Sequence, residues 1–86
     1  MQFTVRYELE NGYEKEFTTI DVGSYSEAFE RKMVGGNYCI GFYPEGKKRR
    51  HWIPYCHGKE YSHNVVRIVI FEAYTGKTIE IIECER

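Results

Sequence analysis

Phe3, Val5, Tyr7 and Leu9 alternate with Thr4, Arg6 and Glu8 at the start of the chain. A period of two predicts a strand with one buried face. Glu10-Asn11-Gly12 supplies a turn, and residues 13–22 return as the second arm of a hairpin. Turn chemistry sets the register. A two-residue Asn-Gly loop would oppose Leu9 with Glu14 and Tyr7 with Glu16, which puts acids on the apolar face. A three-residue loop with Gly12 in the left-handed region, a type I turn plus bulge, instead pairs Leu9 with Tyr13, Val5 with Phe17 and Arg6 with Glu16. The bulged hairpin is therefore expected.

The period then changes. Ser24-Tyr25-Ser26-Glu27 has the form of a capping box, with Ser at the N-cap and Glu at N3. Tyr25, Ala28, Phe29 and Met33 behind it fall on one helical stripe, and Glu27 with Arg31 is a favourable i,i+4 pair. Gly35-Gly36 reads as the helix stop. The expected helix is short, about ten residues, and would need a sheet to dock on.

Strands follow. Residues 37–43 alternate Tyr38, Ile40 and Phe42 with Cys39, Gly41 and Tyr43. Pro44-Glu45-Gly46 is a turn, residues 49–55 read as an irregular strand limited by Pro54, and residues 56–64 as a loop. Residues 65–74 form the strongest strand, apolar on both faces, and residues 78–84 return after Tyr74-Thr75-Gly76-Lys77. The expected class is α+β: a twisted, mainly antiparallel β-sheet of approximate order ββαββββ, with one short helix packed on one face. Such a helix cannot cover both faces, so either the sheet curls on itself or a second copy covers it as a homodimer. The order hairpin, helix, strands, opened by Met1-Gln2-Phe3-Thr4-Val5, resembles a β-grasp arrangement with a ubiquitin-type first strand. The resemblance covers the first third of the chain. The C-terminal hairpin departs from it and a Gly-Gly tail is lacking, so no conjugation role is carried over.

The chain has 86 residues, 42% hydrophobic and 29% charged, with a formal net charge of -1. These values fit one globular domain over residues 1–86 and exclude a multidomain enzyme, a disulfide scaffold, a coiled coil and a membrane span. Cys39, Cys56 and Cys84 are an odd count without tight spacing, which suits a reducing compartment. The first residues lack the apolar run of a signal peptide, so the expected location is cytoplasmic, with no membrane partner.

Charge is uneven along the chain. Residues 44–60 hold five Lys/Arg and two Glu, or +3, leaving seven against eleven, or -4, elsewhere. Lys47, Lys48, Arg49 and Arg50 run directly into His51 and Trp52, with Tyr55 close behind. Cations and rings together suit an acidic protein partner, where Arg and Trp are common anchors. They also suit nucleic acid, through phosphate contacts and base stacking. A solvated hairpin tip with Trp52 packed inward is the plain alternative. The expected function is a small non-enzymatic interaction module, a regulator, inhibitor or accessory protein. It binds a macromolecular partner, a protein before a nucleic acid, through these seven residues.

Other chemistry is weakly signalled. Cys39, His51, Cys56, His57, His63 and Cys84 lack the spacing of a zinc site, and a Cys56–His63 nucleophile pair has no evident pocket. No catalytic residue, metal or cofactor is assigned. Glu8, Glu10, Glu14 and Glu16 near the first hairpin's tip read as a guarded edge or as a docking patch for a basic partner. Eight tyrosines, of which Tyr43, Tyr55, Tyr61 and Tyr74 lie near turns, favour an interaction surface.

Overall fold

The computed structural model describes residues 1–57 and 63–84. Within them the chain runs β1 (Phe3–Leu9), β2 (Glu14–Thr18), α1 (Tyr25–Ala28), β3 (Glu30–Val34), β4 (Asn37–Phe42), β5 (His51–His57), β6 (Val65–Glu72) and β7 (Thr78–Glu83). The fold is α+β and antiparallel throughout its described pairings, with strand orders β2-β1-β6-β7 and β3-β4-β5 in two sheets.

The first hairpin has the bulged register. Val5 faces Phe17 and Arg6 faces Glu16. The Gly12 amide donates to Leu9 O at 2.9 Å, the Leu9 amide donates to Tyr13 O at 2.8 Å, and Gly12 has φ of +87°. A side chain at that φ would be strained, so glycine fixes both the turn and the register. Arg6 and Glu16 make an exposed ion pair at 3.7 Å.

The helix starts as expected and ends early. Ser24 Oγ accepts from the Glu27 amide at 3.3 Å, and the Glu27 carboxylate accepts from the Gly23 amide at 3.0 Å. After Ala28 the backbone is extended, with φ -125° and ψ 144° at Phe29. The second half of the expected helix is strand β3, a seventh strand beyond the six anticipated. Gly35 and Gly36, with φ of +58° and +88°, turn it into β4. Two successive positive φ values are the signature of a type I′ hairpin turn. Tyr25, Ala28 and Phe29 of the expected stripe do join the core, whereas Met33 is 50% exposed. Arg31 lies across from Ile40 on β3 and pairs with Glu80 instead of Glu27.

The core lies between the sheets. Phe3, Val5 and Tyr7 of β1, Ile68 and Ile70 of β6 and Ile82 of β7 meet Ile40 and Phe42 of β4 and Ile53 of β5. Phe3 packs edge-on against Tyr25 and Phe29 at 5.5 and 5.8 Å, so α1 closes one end. The chain thus covers the inner face of β6 by splitting into two facing sheets. On the outer face, Phe71 is half-buried beneath the Arg6 guanidinium, 5.0 Å from the ring centre.

Two sets of bonds tie the sheets together. Residues 18–20 leave β2 and pair with the end of β4: the Ile20 amide donates to Tyr43 O and the Glu45 amide to Thr18 O, at 2.9 and 2.8 Å. Thr19 is buried between them and accepts from the Phe3 amide through Oγ1 at 3.0 Å. On the other side, Glu80 of β7 accepts from Arg31 at 2.5 Å and from the Tyr25 hydroxyl. The first set anchors the chain where the basic loop begins.

Strand β5 occupies residues 51–57, two positions later than expected, and draws Cys56 and His57 out of the expected loop. Most of that loop, residues 58–62 including Lys59 and Tyr61, lies outside the described residues. Among the described residues, no helix is long and apolar enough to cross a membrane.

Candidate functional site

Alternation along β5 separates the basic-aromatic run into two environments. His51 lies opposite Phe42 and turns inward, while Trp52 lies opposite Gly41 and turns outward. The indole lies against the Gly41 backbone: a methyl group placed on Gly41 would sit 2.5 Å from Trp52 Cε3. Lys32 of β3 holds its ammonium 4.8 Å from the indole centre, and Arg50 its guanidinium at 5.7 Å. Trp52 is thus sandwiched between backbone and cations.

Arg50 is the organised member of the basic run. Its guanidinium lies 4.5 Å from the Tyr43 ring centre and pairs with Glu30 at 3.6 Å, and its side chain is 23% exposed. Lys47, Lys48 and Arg49 are exposed, and among the described residues none of them has an ion-pair partner. The loop therefore offers three available cations beside a fourth already committed to its own fold.

His51 sits among rings. Its imidazole lies 4.6 Å from Phe17, 5.7 Å from Phe42 and 6.2 Å from Tyr7, whose hydroxyl shares a 3.4 Å hydrogen bond with Nε2. Burial, with Lys15 nearby, lowers its pKa from the ordinary value, so the ring favours its neutral form. Burial also raises the Tyr7 phenol. Phe17, Pro44, Lys47, Lys48, Arg49, Arg50 and His51 line an open hollow of about 320 Å³. Its floor is aromatic and its rim cationic.

Tyr55 does not belong to this cluster. A register shift between Tyr38 and Cys39 intervenes, and Tyr55 lies beneath the Arg31 guanidinium at 5.6 Å, packed on the core beside the Glu80 bridge. Burial raises the Tyr25 phenol there to about 12, with its bond to Glu80 adding to the rise. Burial alone would raise Glu80, but hydrogen bonds from Arg31 and Tyr25 outweigh it and hold that carboxyl below its ordinary value.

Among the described residues, cysteine and histidine side chains do not converge. Cys56 faces Tyr38 and Cys39 faces Pro54, so the two thiols take opposite faces of the sheet. Cys39 is buried and its thiol is pushed up in pKa, away from thiolate character. Among the described residues, no group of three or more His, Cys, Asp or Glu side chains could hold a metal.

Lys32, Gly41, Tyr43, Phe17 and Pro44 are parts of the surface that the run of residues 47–55 does not announce. One signal was present: an isolated glycine inside a strand marks close approach of another group. Comparison with protein-family models, with curated proteins and with solved structures finds no match to this chain.

Proposed function

We propose that the protein is a small non-enzymatic interaction module that binds an acidic protein partner through Lys47, Lys48 and Arg49. Arg50, Trp52 and Tyr43 form the rigid base of the contact. The observation that carries this reading is the set of three exposed cations without ion-pair partners among the described residues. They sit on a loop whose two ends are fixed by the Thr19–Pro44 bridge and by the Trp52–Gly41 packing. A loop held at both ends has less backbone freedom to lose on binding. Trp52 also favours a protein over a nucleic acid: with Gly41 against the ring and Lys32 and Arg50 over it, a base could stack only by displacing them. The odd cysteine count without tight spacing supports a reducing, cytoplasmic setting.

The test is a titration of a poly-glutamate peptide, and separately of single- and double-stranded DNA and RNA, followed by Trp52 emission at low and physiological salt. A K47S/K48S/R49S variant is the control. Salt-sensitive binding of the acidic peptide, lost in the control, is expected. Tighter binding of any nucleic acid than of the peptide would transfer the site to the alternative class, and no binding at low salt would remove both.

Self-association is a separate proposal, supported by β7. At the edge of its sheet it shows Ile79 and Ile81, 40% and 57% exposed, whereas edges β2 and β3 present Glu14, Lys15 and Glu16 and Glu30, Arg31 and Lys32. Charged residues guard an edge and isoleucines do not. A second copy paired along β7 would cover them in a two-fold homodimer. Sedimentation equilibrium that finds only monomer at high concentration would sink it.

A further inference from the structure

We infer that the hollow beside the basic loop seats one phenylalanine side chain of an acidic peptide segment, the ring against Phe17, Pro44 and His51 and the flanking carboxylates on Lys47, Lys48 and Arg49. This rests on the proposed acidic-partner reading and adds what that partner must carry. The hollow measures about 320 Å³, at the small end of ligand sites, and has room for an aromatic ring.

Its floor explains the choice of a ring. Tyr7, Phe17, Phe42 and His51 form a ladder with neighbouring centres 4.6 to 6.2 Å apart, the spacing at which aromatic groups attract by offset and edge-on packing. Phe17 and His51 line the hollow at the exposed end of this ladder, so one more ring would extend it. Cations on the rim favour a ring as well, and Arg50 already shows the preference by lying on Tyr43 and Trp52.

A phenyl ring needs no hydrogen-bond partner in the hollow, where His51 Nε2 is already engaged by Tyr7. The rim supplies charge complementarity for the segment on either side of it, because its three outer cations have no ion-pair partner among the described residues.

Two synthetic peptides of equal length and charge test the inference: a run of Glu interrupted by one Phe, and the same run with Ala in its place. Each is titrated into the full chain at physiological salt, following backbone amide shifts and Trp52 emission, with an oligo-dT of similar charge as a third probe. The Phe peptide is expected to bind about tenfold more tightly than the Ala peptide, with magnetisation transfer from its ring to Phe17 and His51. K48S/R49S should weaken both peptides while leaving that ratio in place. Phe17→Leu, with its fold verified by the same spectrum, should reduce the ratio to about twofold. Equal affinity of the two peptides would overturn the inference and leave the acidic-partner reading standing. Failure of both peptides to bind, with or without binding of oligo-dT, would overturn that reading and this inference with it.

Discussion

Trp52 and Gly41 define each other. The indole occupies the space a side chain at position 41 would need, and a methyl group there would lie 2.5 Å from both Cε3 and Cζ3. The ring is held between β4 backbone and two cations, so it has little room to retreat without breaking its contacts with Lys32 and Arg50. Gly41→Ala should cost about 1–3 kcal/mol, the range for overpacking a filled site. A urea titration would show a lower midpoint, and Trp52 emission would shift to the red as the ring lifts into water. An unchanged midpoint and spectrum would mean that the ring is not seated on the backbone as described.

The turn between β3 and β4 allows an asymmetric pair of substitutions. Gly35 and Gly36 both have positive φ, and Asn-Gly is the preferred natural pair for a type I′ turn. Gly35→Asn should leave stability unchanged or raise it by up to about 1 kcal/mol, because Asn narrows the unfolded ensemble while tolerating this conformation. Gly36→Val should lower it by about 1–3 kcal/mol, the cost of holding a β-branched residue in the left-handed region. Chemical denaturation of the two variants checks both signs. A helix over residues 24–34 would respond differently, since Gly35 would be a C′ position and Asn there would be nearly neutral beside a mild Gly36 effect.

What could be read from the chain was what local chemistry decides. The β1–β2 register follows from Gly12 and from the need to keep Glu14 and Glu16 off the apolar face, both visible within fifteen residues. The capping box at Ser24 and Glu27 is equally local. Residues 30–34 were not legible in this way, because Glu30, Arg31, Lys32 and Met33 tolerate a helix and Gly35-Gly36 serves either as a stop or as a hairpin turn. Pairing with β4, a non-local interaction, settles it. The same pairing brings Lys32 over Trp52, which no helix at residues 24–34 would reveal. Proximity in sequence groups Tyr55 with Trp52, and the irregularity opposite Tyr38 and Cys39 parts them.

The bridge between the sheets on the side away from the basic loop rests on Arg31, Glu80 and Tyr25. Arg31 is 44% exposed and Glu80 31%, so solvent screens the pair and its net worth is modest. A double-mutant cycle with Arg31→Met and Glu80→Gln should give a coupling of about 0.5–1 kcal/mol. Arg31 also covers Tyr55, so Arg31→Met should be the costlier single change. Zero coupling would reduce the bridge to two independent side chains.

His51 makes the fold sensitive to mild acid. Burial disfavours its charged form, so its pKa in the folded chain lies below the ordinary 6.5. In the pH interval between the two values the unfolded chain binds more protons than the folded one, and stability rises with pH. The contribution is therefore complete above about pH 6.5 and is lost as pH falls through the lower, folded value. The groups around the imidazole agree in sign: Lys15 repels a second cation, while Phe17, Phe42 and the Tyr7 hydroxyl offer no negative charge. Urea midpoints measured between pH 7 and pH 5 should fall for the native chain and fall less steeply for His51→Phe, which keeps a ring in the cluster and removes the titration. The comparison of slopes matters more than the absolute stability of the variant, because Tyr7 loses a partner in it at every pH. Equal slopes would mean that packing among the rings does not disfavour the charged form of His51.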